Sequence, residues 1–252
     1  MKKLFLFMAL LTAALISASA CSYTQNPLDK DTILIGVRDD TPGFAFNNGS
    51  GTVVGFEVDL AASIADALGK QAEFIVINDQ NRELHLNSGT VDMVIAAYTI
   101  TDSRKKSMHF TQPYYTDNLV FTAAPGSAYD APADLAGGKI AVVDSTTAQS
   151  SIDSVLANEG ISADVVTYNS MRDAVTALKN GEADALFMDA SITRGYMGAE
   201  GKTLAGKYEP QGYGIAIRKS DTDFVKAIDD LLTEMKNNGQ LDELMARWEL
   251  ST

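Results

Sequence analysis

Short apolar runs alternate with stretches of helical spacing along most of this chain. Ile33-Leu34-Ile35-Gly36-Val37 is continuously apolar, the pattern of a strand covered on both faces. Phe44 to Phe46 and Val53-Val54 flank Asn47-Asn48-Gly49, a hairpin-type turn. From Asp59 the period lengthens: Leu60, Ile64, Ala67 and Leu68 share one face, and Gly69 supplies a helix stop. Phe74 to Ile77 and Met93 to Ala96 read as strands. After residue 130 the same order returns, with a strand at Ile140–Val143, a helix from Thr146-Thr147 to about Asn158, a strand at Val165-Val166 and a helix over Met171–Lys179. Strand and helix in alternation imply a mainly parallel sheet.

Two segments echo one another. Ser88-Gly89-Thr90-Val91-Asp92-Met93-Val94-Ile95 and Asn180-Gly181-Glu182-Ala183-Asp184-Ala185-Leu186-Phe187 each read as a helix end, a G-x-x-D turn and a buried strand. Asp92 and Asp184 are expected as turn or cap residues. The echo supports two α/β lobes of roughly a hundred residues each. The stretch from Phe224 to Trp248 predicts one amphipathic helix, with Ile228, Leu231, Leu232 and Met235 on one face.

The first twenty residues follow a different rule. Lys2 and Lys3 precede an apolar run from Leu4 to Ile16, then Ser17-Ala18-Ser19-Ala20 and the single cysteine, Cys21. A charged start, a short apolar run and an A-x-A end describe a secretory signal peptide over 1–20. Ala18-Ser19-Ala20 suits ordinary cleavage. The segment also resembles a bacterial lipoprotein signal, which implies lipidation at Cys21 and a membrane anchor. Residues 21–31 read as a polar tether. The chain carries 20 Lys+Arg against 33 Asp+Glu, a net charge of −13; removal of 1–20 leaves −15 over 232 residues. A nucleic-acid footprint needs a basic surface, so no nucleic-acid partner is expected.

Catalytic signatures are sparse. His85 and His109 lack a second histidine at zinc-ligand spacing, and no G-x-S-x-G elbow occurs. Tyr196 to Thr203 approaches a P-loop, but Tyr196 occupies the first glycine position. Neither cofactor nor metal is expected. An acidic, exported, two-lobed protein of this kind suggests a cleft for a small solute, beyond the strand C-termini. Arg38 ends the first strand, Thr99 and Arg104 follow Met93–Ala96, Ser145-Thr146-Thr147 opens a helix of the second lobe, and Asp189 follows Ala185–Phe187.

Seven runs together resemble the family 3 extracellular solute-binding proteins of polar amino-acid ABC transporters. They are Ile35-Gly36-Val37, Gly55-Phe56-Glu57-Val58-Asp59-Leu60-Ala61, Thr99-Ile100-Thr101-Asp102-Ser103-Arg104-Lys105-Lys106, Phe110-Thr111-Gln112-Pro113-Tyr114-Tyr115, Ser145-Thr146-Thr147, Asp184-Ala185 through Asp189, and Tyr213-Gly214-Ile215. The resemblance implies an α/β, two-lobed periplasmic binding protein fold (type II) with two crossover hinge segments. Residues 32–122 and 215–252 would form lobe one, and 123–214 lobe two. It also implies roles: Arg104 on the ligand α-carboxylate, with Thr99 and the backbone near Ala97 at the same end. Ser145, Thr146 and Thr147 would offer hydroxyls and helix N-terminal amides, Asp189 would take the α-ammonium, and Tyr213 would lie in the returning hinge. Phe44 would supply an aromatic wall.

Arginine at both 38 and 82, the run Asn78-Asp79-Gln80-Asn81-Arg82, and Glu209-Pro210-Gln211 look most like the glutamate/aspartate-binding branch. Arginines converging in a cleft repel one another unless an anion compensates, and a dicarboxylic amino acid supplies two carboxylates and one ammonium. L-glutamate or L-aspartate is therefore the expected ligand, a membrane permease the expected partner, and a monomer the expected state. A dehydratase-like enzyme on the same fold, a surface adhesin and a glutamine-binding protein are the alternatives.

Overall fold

The computed structural model describes residues 25–250. The expected signal peptide and Cys21 lie outside the described residues. In chain order the regular elements are β1 (Thr32–Val37), β2 (Asp40–Thr41), β3 (Ala45–Asn47), β4 (Val53–Val54), α1 (Phe56–Ala67), β5 (Gln71–Val76), α2 (Arg82–Asn87), β6 (Met93–Val94), β7 (Met108–Phe110) and β8 (Tyr115–Ala123). They continue with β9 (Lys139–Val143), α3 (Thr147–Glu159), β10 (Asp164–Tyr168), α4 (Met171–Lys179), β11 (Ala185–Asp189), α5 (Ala190–Met197), β12 (Lys202–Thr203), β13 (Tyr208–Tyr213), β14 (Ala216–Arg218), α6 (Thr222–Asn237) and α7 (Gln240–Arg247).

One sheet has the order β5-β1-β6-β14-β7, with β1 parallel to both β5 and β6 and β14 antiparallel to its neighbours. A second has the order β10-β9-β11-β8-β12, with β13 also paired to β8, and a small third sheet has the order β2-β3-β4. In the second, β9 is parallel to β10 and β11, while β8 is antiparallel to β11, β12 and β13. The apolar runs are strands covered on both faces. In β9, Ala141 and Val143 join a core containing Met171, Val175 and Leu178 of α4, while Ile140 and Val142 join one containing Ile152, Val155 and Leu156 of α3. This is the period-two alternation of a sheet with helices on both sides. Each fully buried aliphatic side chain contributes about 1.5–3 kcal/mol.

The G-x-x-D echo corresponds to equivalent structure in the two large sheets. Asp92 accepts the Leu34 amide at 3.1 Å on Oδ2, and its own amide donates to the Leu34 carbonyl at 2.7 Å. Asp184 accepts the Lys139 amide at 2.8 Å and donates its own to the Lys139 carbonyl at 2.8 Å. Each aspartate thus pins the strand it opens to the parallel strand beside it, β6 to β1 and β11 to β9. Asp92 also pairs with Lys30 at 2.6 Å and Arg218 at 3.1 Å.

Three features depart from the sequence expectations. The single helix over Phe224–Trp248 is two helices, α6 and α7, because Gly239 sits at φ +83, a left-handed stop that glycine adopts without penalty. The tether is docked from Pro27 onward: Pro27 is buried in a short 3₁₀ turn, and Lys70 Nζ donates to the Leu28 carbonyl at 2.7 Å. Helix α1 begins at Phe56, earlier than Asp59. Its first amides donate to the carbonyls of Gly43 and Phe44 at 3.0 and 2.9 Å. That close approach requires Gly55, where a Cβ would stand 2.1 Å from the Phe44 carbonyl oxygen.

The chain passes between the sheets on β8 and returns on β13. The two are paired antiparallel, Tyr115 opposite Tyr213 and Asp117 opposite Gln211. At the first sheet Ile100 N donates to the Gly212 carbonyl at 2.8 Å, and Gly214 N to the Tyr98 carbonyl at 3.1 Å.

Candidate ligand-binding cleft

A cavity of about 480 Å³ lies between the sheets, lined from one side by Asp79, Gln80, Arg82, Glu83, Thr101 and Arg104 and from the other by Ser145, Thr146, Thr147 and Gln149. A larger hollow of about 620 Å³, between Pro113–Thr116 and Leu241–Met245, carries none of the arginines. Charge makes the first the candidate site.

Arg104 opens a 3₁₀ turn after Ser103. Its Nη1 donates to the Thr99 carbonyl at 2.8 Å and its Nη2 to the Ser145 carbonyl at 3.3 Å. Arg82, at the start of α2, pairs with Asp79 at 2.8 Å and donates from Nη2 to the same Ser145 carbonyl at 2.9 Å. Both guanidinia lie over the Tyr98 ring, at 3.8 Å for Arg82 and 4.5 Å for Arg104. The two cations thus converge on one oxygen and one aromatic face. Burial, and then the charge of Arg82, pull the Arg104 pKa down to about 10. An anion set between them would relieve that repulsion.

Arg38 is arranged differently. It is 2% exposed and is held by Asp40 on Nε and Nη2, at 2.9 and 3.0 Å, and by Asp79 on Nη1. Burial opposes its charge, but Asp79 and Asp40 outweigh burial and raise its pKa. Asp79 bridges Arg38 and Arg82. Burial opposes its charge too, but the two arginines hold its carboxyl below the usual range. The expectation that Arg38 faces a ligand is therefore modified: its donors are turned to its own carboxylates. Phe44, expected as an aromatic wall, is fully buried, packed edge-on to Phe56, Tyr115 and Tyr213 beneath the cleft.

Of the remaining expected residues, Ser145, Thr146 and Thr147 line the cavity, whereas Ala97, Thr99, Asp189 and Tyr213 are not part of its lining. Ser145 has a left-handed backbone, φ +62, which aims its carbonyl at the two arginines. Thr146 caps α3, accepting the Gln149 amide at 3.2 Å. Thr99 and Thr147 both donate their hydroxyls to Gln211 Oε1, at 2.8 and 2.6 Å, so a crossover residue ties the two sides together. Ala97 is also left-handed, φ +45, and its amide donates to Glu57 at 2.6 Å. Glu57 is fully buried, takes the Tyr114 hydroxyl on the same oxygen, and has no partner on Oε2. Burial pushes its pKa up to about 7, against the opposing effects of Tyr114, the Ala97 amide and Arg38. Asp189 accepts the Tyr213 hydroxyl at 2.7 Å; burial and then Asp117 push its pKa up to about 7.

Asp79, Glu57, Asp117 and Gln211 were not picked out as site residues by sequence reasoning. Asp79 and Gln211 do stand in the runs that carry the family resemblance, and Glu57 in the G-F-E-V-D run; Asp117 left no signal. The cleft is bridged in this structure: Gln80 Nε2 donates to the Asn169 carbonyl at 3.1 Å, and the Tyr196 hydroxyl to the Asp40 carbonyl.

An α/β molecule with two large sheets, paired crossovers and an arginine-lined cleft is the architecture of a solute-binding protein. The family model for bacterial extracellular solute-binding proteins, family 3, matches residues 33–251, and the chain belongs to that family. A glutamine-binding protein of an ABC transporter from Bacillus subtilis (strain 168) is 34% identical over 229 residues, 87% of this chain and 82% of the relative. An L-arginine-binding protein from Pseudomonas aeruginosa is 27% identical over 249 residues, 93% of this chain and 95% of the relative. The solved structure of an ancestral arginine-binding protein bound to arginine superimposes with a TM-score of 0.79 at 30% identity, over 87% of this chain and 98% of that one. Its fold is thus that of the type II periplasmic binding proteins.

Proposed function

We propose that this chain is the extracytoplasmic binding component of an amino-acid ABC importer and captures L-glutamate or L-aspartate in the cleft. The observation that carries the acidic reading is the convergence of Arg82 and Arg104 on the single Ser145 carbonyl, with Arg82 paired to Asp79 and Arg104, among the described residues, to no carboxylate. An incoming α-carboxylate would take that carbonyl's place on Arg104, close to the Thr99 and Thr147 hydroxyls. Guanidinium forks suit planar carboxylates. The side-chain carboxylate would lie against Arg82, over Tyr98. Asp189 would receive the α-ammonium. Arg38 would act through Asp79, holding it in place between the arginines.

Hinge closure about β8 and β13 would follow, excluding water and strengthening the charge pairs. The closed form is what a membrane permease would read. Lipidation at Cys21 would keep the protein at the membrane surface. The polar side chain of glutamine would leave one arginine without its counter-charge, at a cost of about 1–3 kcal/mol.

A dehydratase on this fold has one observation in its favour: Glu57 and Asp189 sit near pH 7, the range of a general acid. Glu57 is sealed beneath the cleft, and Asp189 is hydrogen-bonded into the hinge, which favours binding over turnover. Incubation with prephenate and arogenate tests this: unchanged substrate supports the binding reading, and product formation overturns it. The ligand assignment is tested by titrating amino acids into the stripped protein and into Arg104→Ala and Arg82→Leu, as set out below.

A further inference from the structure

Helix α5 begins at Ala190, so Asp189 stands where a side chain ordinarily bonds the first free amides of the helix. Asp189 makes no such bond. The bond comes from another element: Asp117, on the crossover strand β8, accepts the Ser191 amide at 3.0 Å and the Ser191 hydroxyl on Oδ2. Its Oδ1 accepts the Asn118 amide at 2.8 Å. The Tyr213 hydroxyl stands between the two carboxylates, 2.7 Å from Asp189 and 3.4 Å from Asp117. Each aspartate is only 7% exposed, and among the described residues no ion pair reaches either.

The groups facing this pair are Tyr115 from β8, Tyr213 from β13, the Ser191 hydroxyl from α5, and Asp79 from across the cleft. Arg194, the cation on α5, is exposed. Two buried carboxylates without a buried cation between them cannot both hold full charge cheaply.

We propose that Asp117 is a positioning residue of the cleft: it caps α5 in place of Asp189, and the two carboxylates together seat one positive charge, either a proton or the ammonium of the solute. Capture of an amino acid then releases the proton from Asp189 to solvent, and the ammonium takes its place through hydrogen bonds. This rests on the amino-acid reading above. The Asp117 cap satisfies the start of α5 and leaves the Asp189 carboxylate to the Tyr213 hydroxyl.

The test is calorimetry on the ligand-stripped protein at pH 6.5, with L-glutamate, in two buffers of very different ionisation enthalpy. The difference in heat counts protons. With the Asp189 carboxyl at about 7, roughly 0.8 proton is released per ligand bound. Asp117→Asn keeps an acceptor for the Ser191 amide but removes the charge. It is expected to cut proton release by more than half and to flatten the fall in affinity between pH 8 and 6. Asp117→Ala also removes the cap and weakens binding about tenfold or more at every pH.

Carbon-detected NMR of the stripped protein reads the Asp189 midpoint without any ligand: near 7 in the parent, lower in Asp117→Asn. A parent midpoint near 4, or an Asp117→Asn variant with the parent's proton count and pH slope, overturns the proposal even if glutamate binds. Glutamine or arginine binding with the same proton release sinks the acidic assignment and leaves this proposal standing. No binding of any amino acid overturns both.

Discussion

Arg104 takes two backbone carbonyls and, among the described residues, no carboxylate, and a half-buried cation so placed is a strong anchor for an anion. Arg104→Ala should weaken every amino-acid ligand by at least about 100-fold, since a charge-assisted pair of this kind is worth about 3 kcal/mol; calorimetry showing retained affinity would remove it from the site. Arg82→Leu should weaken glutamate and aspartate about tenfold while sparing glutamine, and an equal loss for all three would refute its specificity role.

A third prediction concerns pH. Glu57 and Asp189 titrate near 7 in the folded chain and near 4 when unfolded. Between those values the folded state binds more protons. The stability they contribute is therefore full below about pH 4 and is lost as pH rises through 7, on the order of 4 kcal/mol per group at most. The thermal midpoint of the stripped protein should fall from pH 5 to 8, and Glu57→Gln, which keeps an acceptor for the Ala97 amide, should remove about half of that slope. An unchanged slope would mean that Glu57 does not titrate there. At this scale Arg104 was legible because its motif is local, I-T-x-x-R-K-K. Gln211 and Asp117 were not legible as site residues, because their partners lie far along the chain, as with Asp117 and Ser191, 74 positions apart.

The elements read most clearly from sequence were the strands covered on both faces and the helices with one apolar stripe. β13 is not announced by its sequence, Tyr208-Glu209-Pro210-Gln211-Gly212-Tyr213, which lacks an apolar alternation and contains a proline. It pairs with β8 through a register shift at Pro210, with Glu209 at φ +37. The break between α6 and α7 turned on Gly239, whose conformation no periodicity announces. The junction at Gly55 gives a prediction at this scale. Gly55→Ala places a Cβ against the Phe44 carbonyl at a φ of +141, so the start of α1 must shift. The expected cost is about 2–4 kcal/mol, read as a lower midpoint in urea, and an unchanged midpoint would show that the loop relaxes freely.

For the molecule as a whole, the net charge of −13 opposes an anionic ligand, so attraction must be local to the arginines. The fold makes that possible. Parallel strands from two sheets end at one cleft, and the crossovers β8 and β13 carry both Gln211, which links Thr99 to Thr147, and Tyr213, which holds Asp189. The cation-lined and anion-lined ends of the cleft are thus fixed to the same hinge. The measurement that tests this account most directly is calorimetric titration of the ligand-stripped protein with L-glutamate, L-aspartate, L-glutamine, L-arginine and L-histidine. The account predicts that the two acidic amino acids bind, at about micromolar Kd or tighter, and the others at least tenfold more weakly. Preferential binding of glutamine, arginine or histidine would contradict it.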